Sequence, residues 1–92
     1  MLFCITGIDK PDALDLRMAN REAHLKHWGD SGVVKLGGPF TSDDGERLEG
    51  SMLVIDVPDR AAAQALADAD PYVKAGLFER RDLRAWKWLL KD

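Results

Sequence analysis

The first predicted helix carries the side chains best suited to chemistry. At about 100° per residue, four of them fall within about 60° of one another: Arg17, Arg21, His24 and Trp28. A histidine in this position can transfer protons, and nearby guanidinium groups can hold a carboxylate or a phenolate. A helix histidine flanked by arginines is also compatible with simple packing and surface charge, so the sequence alone leaves both interpretations open.

A carboxylate at the end of the second predicted helix is the other candidate. Asp68 and Asp70 end an alanine-rich stretch, where negative charge opposes the helix dipole. Asp70 followed by Pro71 is also typical of a helix start, with the aspartate as the N-cap residue. A carboxylate can cap a turn with one oxygen and orient a histidine with the other, so both roles stay open.

Other motifs give weaker indications. Ser51 begins a strand and could donate a hydrogen bond into a cleft, although a serine at a strand end is usually only solvated. Residues 37–40, "GGPF", predict either a bulged strand or a backbone that approaches a ligand closely, without the spacing of a phosphate loop. The chain has no Cys/His cluster with metal-ligand spacing, so we expect no metal site.

Composition restricts the class of protein. Ninety-two residues, 46% hydrophobic and 32% charged, indicate one globular domain over residues 1–92. The net charge of −3, with acids among the arginines of residues 80–84, argues against nucleic acid. Cys4 predicts a buried, unreactive thiol. With no segment suited to span a membrane and no signal-peptide pattern, we expect a cytoplasmic protein with no membrane partner.

The apolar pattern predicts four strands and two helices. The strands are expected over residues 1–8, 33–40, 51–57 and 78–90, and the helices over 13–29 and 58–70. The order β-α-β-β-α-β is the ferredoxin-like arrangement of an α+β protein, with two helices on one face of a four-stranded antiparallel sheet.

The first helix is predicted in more detail. Asp12 is expected to be its N-cap residue. Leu14, Met18 and Leu25 are expected to form its buried apolar stripe, next to the four residues named above. His27 lies toward the far side of the helix and is expected to be exposed to solvent.

Both faces of the predicted sheet are apolar. Met52 and Val54 point one way, whereas Leu53, Ile55 and Val57 point the other. Two helices cover only one of these faces, and a second copy of the chain would cover the other. We therefore expect a homodimer formed through the sheet face.

Taken together, the motifs resemble the YciI-like (YCII-related) family over the whole chain. The resemblance rests on "RMANREAHLKHW" with its Arg21-x-x-His24, on "GGPF", on Gly50-Ser51, and on residues 67–72, "ADADPY". It implies a ferredoxin-like subunit that dimerises into an α+β barrel. The wider superfamily includes muconolactone isomerase-like enzymes and cofactor-free monooxygenases that act on small aromatic compounds. One departure is residues 85–88, "AWKW", where many relatives carry a proline before the aromatic residue.

The resemblance also implies an active site, because the family's proposed histidine–aspartate pair matches His24 and Asp70. We therefore predict a cofactor-independent enzyme with His24 as general acid or base and Asp70 orienting it. Its substrate would be a small cyclic or aromatic acidic compound undergoing isomerisation or elimination. The expected substrate-binding residues are Arg17, Arg21, Ser51 and Tyr72. The alternatives are a homodimeric module that binds a small ligand without turnover, and a structural protein whose apolar face is covered by a different chain.

Overall fold

The computed structural model describes residues 1–92 and confirms the predicted order of elements, with one short helix added. The elements are β1 (Leu2–Asp9), α1 (Leu14–Ser31), β2 (Val34–Thr41), β3 (Leu48–Asp56), α2 (Arg60–Asp68), α3 (Pro71–Lys74) and β4 (Phe78–Trp86). The sheet order is β2-β3-β1-β4, and every neighbouring pair is antiparallel. The α+β class and the ferredoxin-like topology are therefore confirmed.

Two strand boundaries differ from the prediction by three or more residues, because pairing determines them. β4 was expected to run to residue 90 but ends at Trp86, which pairs with Leu2 at the start of β1. The pairing of β4 with β1 ends at this pair of residues. β3 begins at Leu48, three residues earlier than expected, because Leu48 pairs with Thr41 across the β2–β3 hairpin.

The core lies between the helices and one face of the sheet. Phe3, Leu53 and Ile55 project from that face and are buried against Trp28 of α1 and Ala63 of α2. Strand alternation places these residues on the same side. The core thus fixes α1 and α2 over the sheet, with α3 connecting α2 to β4.

The orientation of α1 differs from the prediction. Leu14, Met18 and Leu25, the expected buried stripe, are 55%, 52% and 50% exposed. The residues that α1 buries are Arg17, His24 and Trp28. The prediction was wrong because polar partners lie beneath the helix, and a charged or hydrogen-bonding side chain can be buried when it is paired.

The start of α1 also differs from the prediction. The N-cap position is Ala13, which provides no side-chain cap, so Asp12 lies one position too early to serve as the N-cap residue. Asp12 has a φ of 54°, in the left-handed region that asparagine and aspartate tolerate better than most residues. The helix ends at Ser31 because Gly32 adopts a φ of 70°.

Two further side chains differ from the prediction in burial: His27 is less exposed than expected, and Cys4 is less buried. His27 was predicted to face solvent, but it is half-buried and its Nε2 lies 2.9 Å from the carbonyl oxygen of Leu66. This contact ties α1 to α2. Cys4 is half-buried rather than buried, and desolvation raises the pKa of its thiol. A raised pKa favours the unreactive thiol form.

Apolar side chains also occupy the sheet face opposite the helices. Val54 is buried there, Leu2, Cys4 and Met52 are half-buried, and Trp86 is 38% exposed. The second apolar face expected from the sequence is therefore present. None of the helices is long and apolar enough to cross a membrane.

Candidate active site

His24 and Asp70 are in contact although 46 positions separate them in the chain. The Nδ1 atom of His24 lies 2.8 Å from Oδ1 of Asp70, and both residues are buried. His24 projects from the middle of α1 toward the body of the protein. Asp70 is the N-cap residue of α3, where Pro71 takes the first helical position.

The Asp70 carboxylate accepts three hydrogen bonds. Oδ1 accepts from the Tyr72 backbone amide at 2.9 Å and from His24, and Oδ2 accepts from the indole Nε1 of Trp28 at 3.0 Å. The N-cap and histidine roles that the sequence left open are thus both occupied. The sequence analysis assigned one oxygen to each role, and this assignment is wrong because Oδ1 accepts from both His24 and the Tyr72 amide. Oδ2 is taken by a tryptophan that the sequence reasoning did not link to Asp70.

The hydrogen bonds determine the charge of this carboxylate. Burial alone would raise the pKa of Asp70, but the hydrogen bonds from His24, Trp28 and the Tyr72 amide outweigh burial and hold the pKa below its ordinary value. Asp70 is therefore ionised at neutral pH. An ionised carboxylate can only accept hydrogen bonds, so Nδ1 of His24 must carry a hydrogen.

The other nitrogen of His24 is free. Nε2 makes no hydrogen bond. Every side-chain nitrogen or oxygen that is fully buried in this protein has a hydrogen-bond partner, so Nε2 cannot be fully buried. Nε2 is therefore accessible, and His24 lines a cavity between α1 and the β2–β3 hairpin. In the neutral imidazole with hydrogen on Nδ1, the lone pair of Nε2 is the proton acceptor.

The cavity has a volume of about 450 Å³ and is largely apolar. Its apolar lining includes Leu25, Trp28, Pro39, Leu53 and Tyr72. Its polar lining consists of Arg17, Arg21, His24 and Ser51, to which Tyr72 adds a phenol hydroxyl. No carboxylate lines it, because Asp70 lies behind His24. The structure therefore brings every predicted site residue to this cavity except Asp70, which contacts it through the histidine.

Arg17 is held in place by other residues of the protein. Its Nε and Nη2 donate to the two carboxylate oxygens of Asp9 at 2.7 and 2.9 Å, and Nη2 also donates to Oγ of Ser51 at 2.9 Å. Burial alone would lower the pKa of Arg17, but Asp9 outweighs burial and raises it. Asp9 was missed by the sequence reasoning. The expectation that a buried arginine needs a carboxylate partner would have pointed to it.

Arg21 differs from Arg17 in exposure and in pairing, the two properties that decide whether an arginine can bind an anion. Its side chain is exposed at the edge of the cavity, one helical turn before His24, and it makes no ion pair or hydrogen bond. Its charge is therefore available to a ligand, whereas that of Arg17 is balanced by Asp9. Of the two arginines that the sequence offered, Arg21 is the free cation.

Tyr72 forms a wall behind the histidine. Its ring is buried and stacks on the imidazole of His24, with centroids 3.9 Å apart and planes inclined by 15°. The Arg17 guanidinium carbon lies 4.8 Å from the centroid of the same ring. Burial raises the pKa of Tyr72 against the opposing effect of Arg17 and Arg21, so the phenol stays protonated. The stacking restrains His24 to one orientation.

The Gly-Gly-Pro segment forms the opposite wall. A Cβ atom on Gly37 would lie 2.5 Å from Cδ2 of Leu53, so only glycine fits the present packing there. Gly37, Gly38 and Pro39 all line the cavity. The irregularities of β2 lie on either side of this segment, between Val34 and Leu36 and between Phe40 and Thr41.

These features define a class: an α+β protein of ferredoxin-like topology in which a buried histidine, backed by an ionised aspartate, faces an apolar cavity. The chain belongs to the YCII-related family, since the YCII-related domain matches residues 1–87. It is 36% identical to Protein YciI of Escherichia coli O6:H1 over 95 aligned residues, covering 95% of this chain and 97% of that protein.

Solved structures support the same assignment. The chain is 32% identical to 5-chloro-2-hydroxyhydroquinone dehydrochlorinase (TftG) from Burkholderia phenoliruptrix AC1100, solved in complex with 2,5-dihydroxybenzoquinone. The TM-score is 0.85, and the match covers 95% of this chain and 94% of that chain. An antibiotic biosynthesis monooxygenase matches with a TM-score of 0.61 over 98% of this chain and 100% of that chain. At 13% identity, this second likeness shows the fold alone.

Proposed function

We propose that this protein is an enzyme that moves protons on a small hydroxylated aromatic or cyclic compound, with elimination as its reaction. His24 is the general base and acid, and Asp70 orients it. The proposal is carried by one observation: Nδ1 of His24 is bound to an ionised carboxylate while Nε2 is accessible at a cavity wall. This arrangement suits a proton acceptor whose charged form is stabilised from behind.

The likeness to the TftG dehydrochlorinase suggests the class of substrate. A planar ring with ionisable hydroxyl groups matches the character of the cavity, which combines apolar walls with one free cation, Arg21. A phenolate or enolate would be attracted by Arg21 and would find no carboxylate to repel it. The hydroxyl of Ser51 accepts from Arg17, and its own hydrogen is available to donate to an oxygen of the ring.

An elimination from a halogenated trihydroxybenzene balances with these groups alone. His24 first moves a hydroxyl proton to the ring carbon that bears the halogen, which gives a ketone at the former hydroxyl. It then takes a second hydroxyl proton while the halide leaves with the electron pair of its carbon–halogen bond. The products are a hydroxyquinone, a proton and a halide ion, so no oxidant is needed. Asp70 stabilises the imidazolium that forms in each step.

The test uses a panel of chlorinated and unchlorinated hydroxyhydroquinones, with chloride release and quinone absorbance as readouts. We expect turnover of a chlorinated member by the wild type. His24→Gln should lower kcat by about 10²–10⁴-fold, the usual contribution of general acid–base catalysis. His27→Gln is the matched control, because it removes a histidine of the same helix that bonds the Leu66 carbonyl instead of lining the cavity.

Binding measurements separate this function from the alternative of a module without turnover. Calorimetric titration with 2,5-dihydroxybenzoquinone should give binding by the wild type and by His24→Gln. Binding by both proteins, combined with no chloride release from any panel member, would favour the binding module. Undiminished turnover by His24→Gln would refute the role given to His24.

We also propose that two copies associate through the sheet face opposite the helices. Support comes from the apolar side chains on that face, where Leu2, Cys4 and Met52 are half-buried. Light scattering after size exclusion should give the mass of a dimer. Met52→Lys should shift the mass toward that of a monomer while the circular dichroism spectrum is kept. Ala61→Lys, which places the same charge at an exposed position of α2, should leave the dimer intact.

A further inference from the structure

Trp28 combines deep burial with a single polar atom. Its side chain belongs to the core cluster with Leu53 and Ile55, and the residue is 4% exposed. The indole Nε1–H can only donate, and it donates to Oδ2 of Asp70 at 3.0 Å. A phenylalanine could fill the same apolar space but would bring no donor. The indole hydrogen is therefore the chemical contribution that only tryptophan makes here.

Trp28 and His24 hold opposite ends of one carboxylate. They lie one helical turn apart on α1, and each binds a different oxygen of Asp70. The Tyr72 amide, the third donor, shares Oδ1 with His24. Oδ2 has no other partner within the protein. Without the indole, the carboxylate would be held at one oxygen only and could rotate away from the imidazole.

We propose that Trp28 is a positioning residue, whose indole N–H fixes the Asp70 carboxylate in the plane that directs Oδ1 to Nδ1 of His24. The inference deepens the proposed function and depends on it for its catalytic consequence. Its structural content, a carboxylate whose Oδ2 is fixed by the indole, can be tested without any substrate.

Several polar and charged groups surround Asp70, but few of them bond its carboxylate. His24 of α1 and Tyr72 of α3 contact the carboxylate directly through a side chain or a backbone amide. A second cavity, of about 420 Å³ between α2 and β4, brings four charged residues to the same region: Arg60, Glu79, Arg81 and Asp82. Arg81 pairs with Asp68, and Arg60 donates to the Leu83 carbonyl, so neither bonds Asp70. The indole is thus the sole donor to Oδ2.

The test compares Trp28→Phe with Trp88→Phe. Trp88 is the matched control, because its indole donates to the Leu90 carbonyl at an exposed site in the C-terminal segment. Carboxyl ¹³C signals followed against pH should show that Asp70 titrates at higher pH in Trp28→Phe than in wild type, because a hydrogen bond to its charged form is lost. Imidazole ¹⁵N shifts should show a weakened preference for hydrogen on Nδ1. Trp88→Phe should change neither.

A second measurement uses the wild-type protein alone, so it does not depend on whether a variant folds. The chain has three tryptophans, and only one indole bonds Asp70. The Nε1–H signal of Trp28 should therefore follow the titration of Asp70, while those of Trp86 and Trp88 should not. An indole signal of Trp28 that ignores the Asp70 titration would overturn the proposal. An unchanged Asp70 titration in a folded Trp28→Phe would overturn it as well.

Kinetics then distinguish this inference from the proposed function. If the wild type turns over a panel substrate, Trp28→Phe should lower kcat about 10- to 100-fold with KM little changed, as expected for a lost hydrogen bond to a charged group. Altered Asp70 titration without turnover by any protein would support the positioning role and count against the enzyme. Turnover with unaltered kcat in Trp28→Phe would refute the catalytic part of the inference.

Discussion

Replacing Asp70 by asparagine should destabilise the fold by an amount that follows from its three donors. If the amide oxygen replaces Oδ1, it keeps the bonds to His24 and to the Tyr72 amide, but without the strength of an ionised acceptor. The amide NH₂ then faces the indole N–H of Trp28, and two donors meet without an acceptor. An unsatisfied buried group costs about 1–3 kcal/mol and the weaker bonds about 1 kcal/mol more, so we expect a loss of about 2–4 kcal/mol.

Urea unfolding at a fixed protein concentration measures this loss. The matched control is Asp68→Asn, two residues earlier, whose carboxylate is 54% exposed and pairs with Arg81 at 3.3 Å. An exposed pair of this kind contributes about 0–1 kcal/mol, so Asp68→Asn should lie close to the wild type. If Asp70→Asn unfolds at the same urea concentration as Asp68→Asn, the carboxylate is not held as described.

The pH dependence of the same variant gives an independent check. The folded pKa of Asp70 is lower than its ordinary value of 3.8, so ionisation stabilises the folded protein above that pH. This contribution is lost as the pH falls through the lowered folded pKa. The gap between wild type and Asp70→Asn should therefore be full at neutral pH and shrink below about 3.8. A gap that stays constant across this range would refute the reasoning.

Three further variants test other parts of the site. Arg21→Gln should weaken the binding of 2,5-dihydroxybenzoquinone about 10- to 100-fold in calorimetry, since it removes the free cation at the cavity, and unchanged affinity would exclude Arg21 from ligand binding. Asp9→Asn should cost about 3–5 kcal/mol in urea unfolding, because the buried Arg17 loses its counter-charge, and a near-neutral effect would contradict that pairing. Gly50→Ala should cost at least about 1–3 kcal/mol, because its Cβ would lie 2.3 Å from a backbone oxygen of β1. Gly38→Ala, with no atom within 4 Å of its Cβ, should be almost neutral, and equal stability of the two variants would contradict the described packing.

The sequence predicts the fold well because its signals are local. Strand alternation, the Pro58-Asp59 pair before α2 and Gly32 after α1 are each recognisable from a few neighbouring residues. Asp59 caps α2 and accepts from the Ala62 amide at 2.9 Å. The end of β4 could not be predicted in this way, because it depends on the pairing of Trp86 with Leu2 of β1, a residue distant in the sequence.

The site was predictable only in part, and α1 shows why. Apolar spacing assigned burial to Leu14, Met18 and Leu25, but burial of a polar side chain depends on a partner distant in sequence. Asp9 supplies one for Arg17, and Asp70 supplies one for His24 and Trp28. The family resemblance pointed to His24 and Asp70 as a pair. Spacing placed Trp28 beside His24 on α1, but neither spacing nor resemblance indicated that its indole donates to Asp70.

The rotation of α1 about its axis links stability to the site. The stripe of Leu14, Met18 and Leu25 lies next to the buried residues of α1, so burying it would require a rotation of the helix that breaks the contacts of those residues. Polar contacts to Asp9 and Asp70 therefore hold the helix in its present rotation. Burial strengthens each of these hydrogen bonds, and removing one partner would leave an unsatisfied polar group in the interior. The same carboxylate that directs His24 toward the cavity therefore also fixes α1 on the sheet. Variants of Asp70 should consequently lose stability together with any activity, whereas variants of Arg21, which makes no ion pair or hydrogen bond, should lose ligand affinity alone.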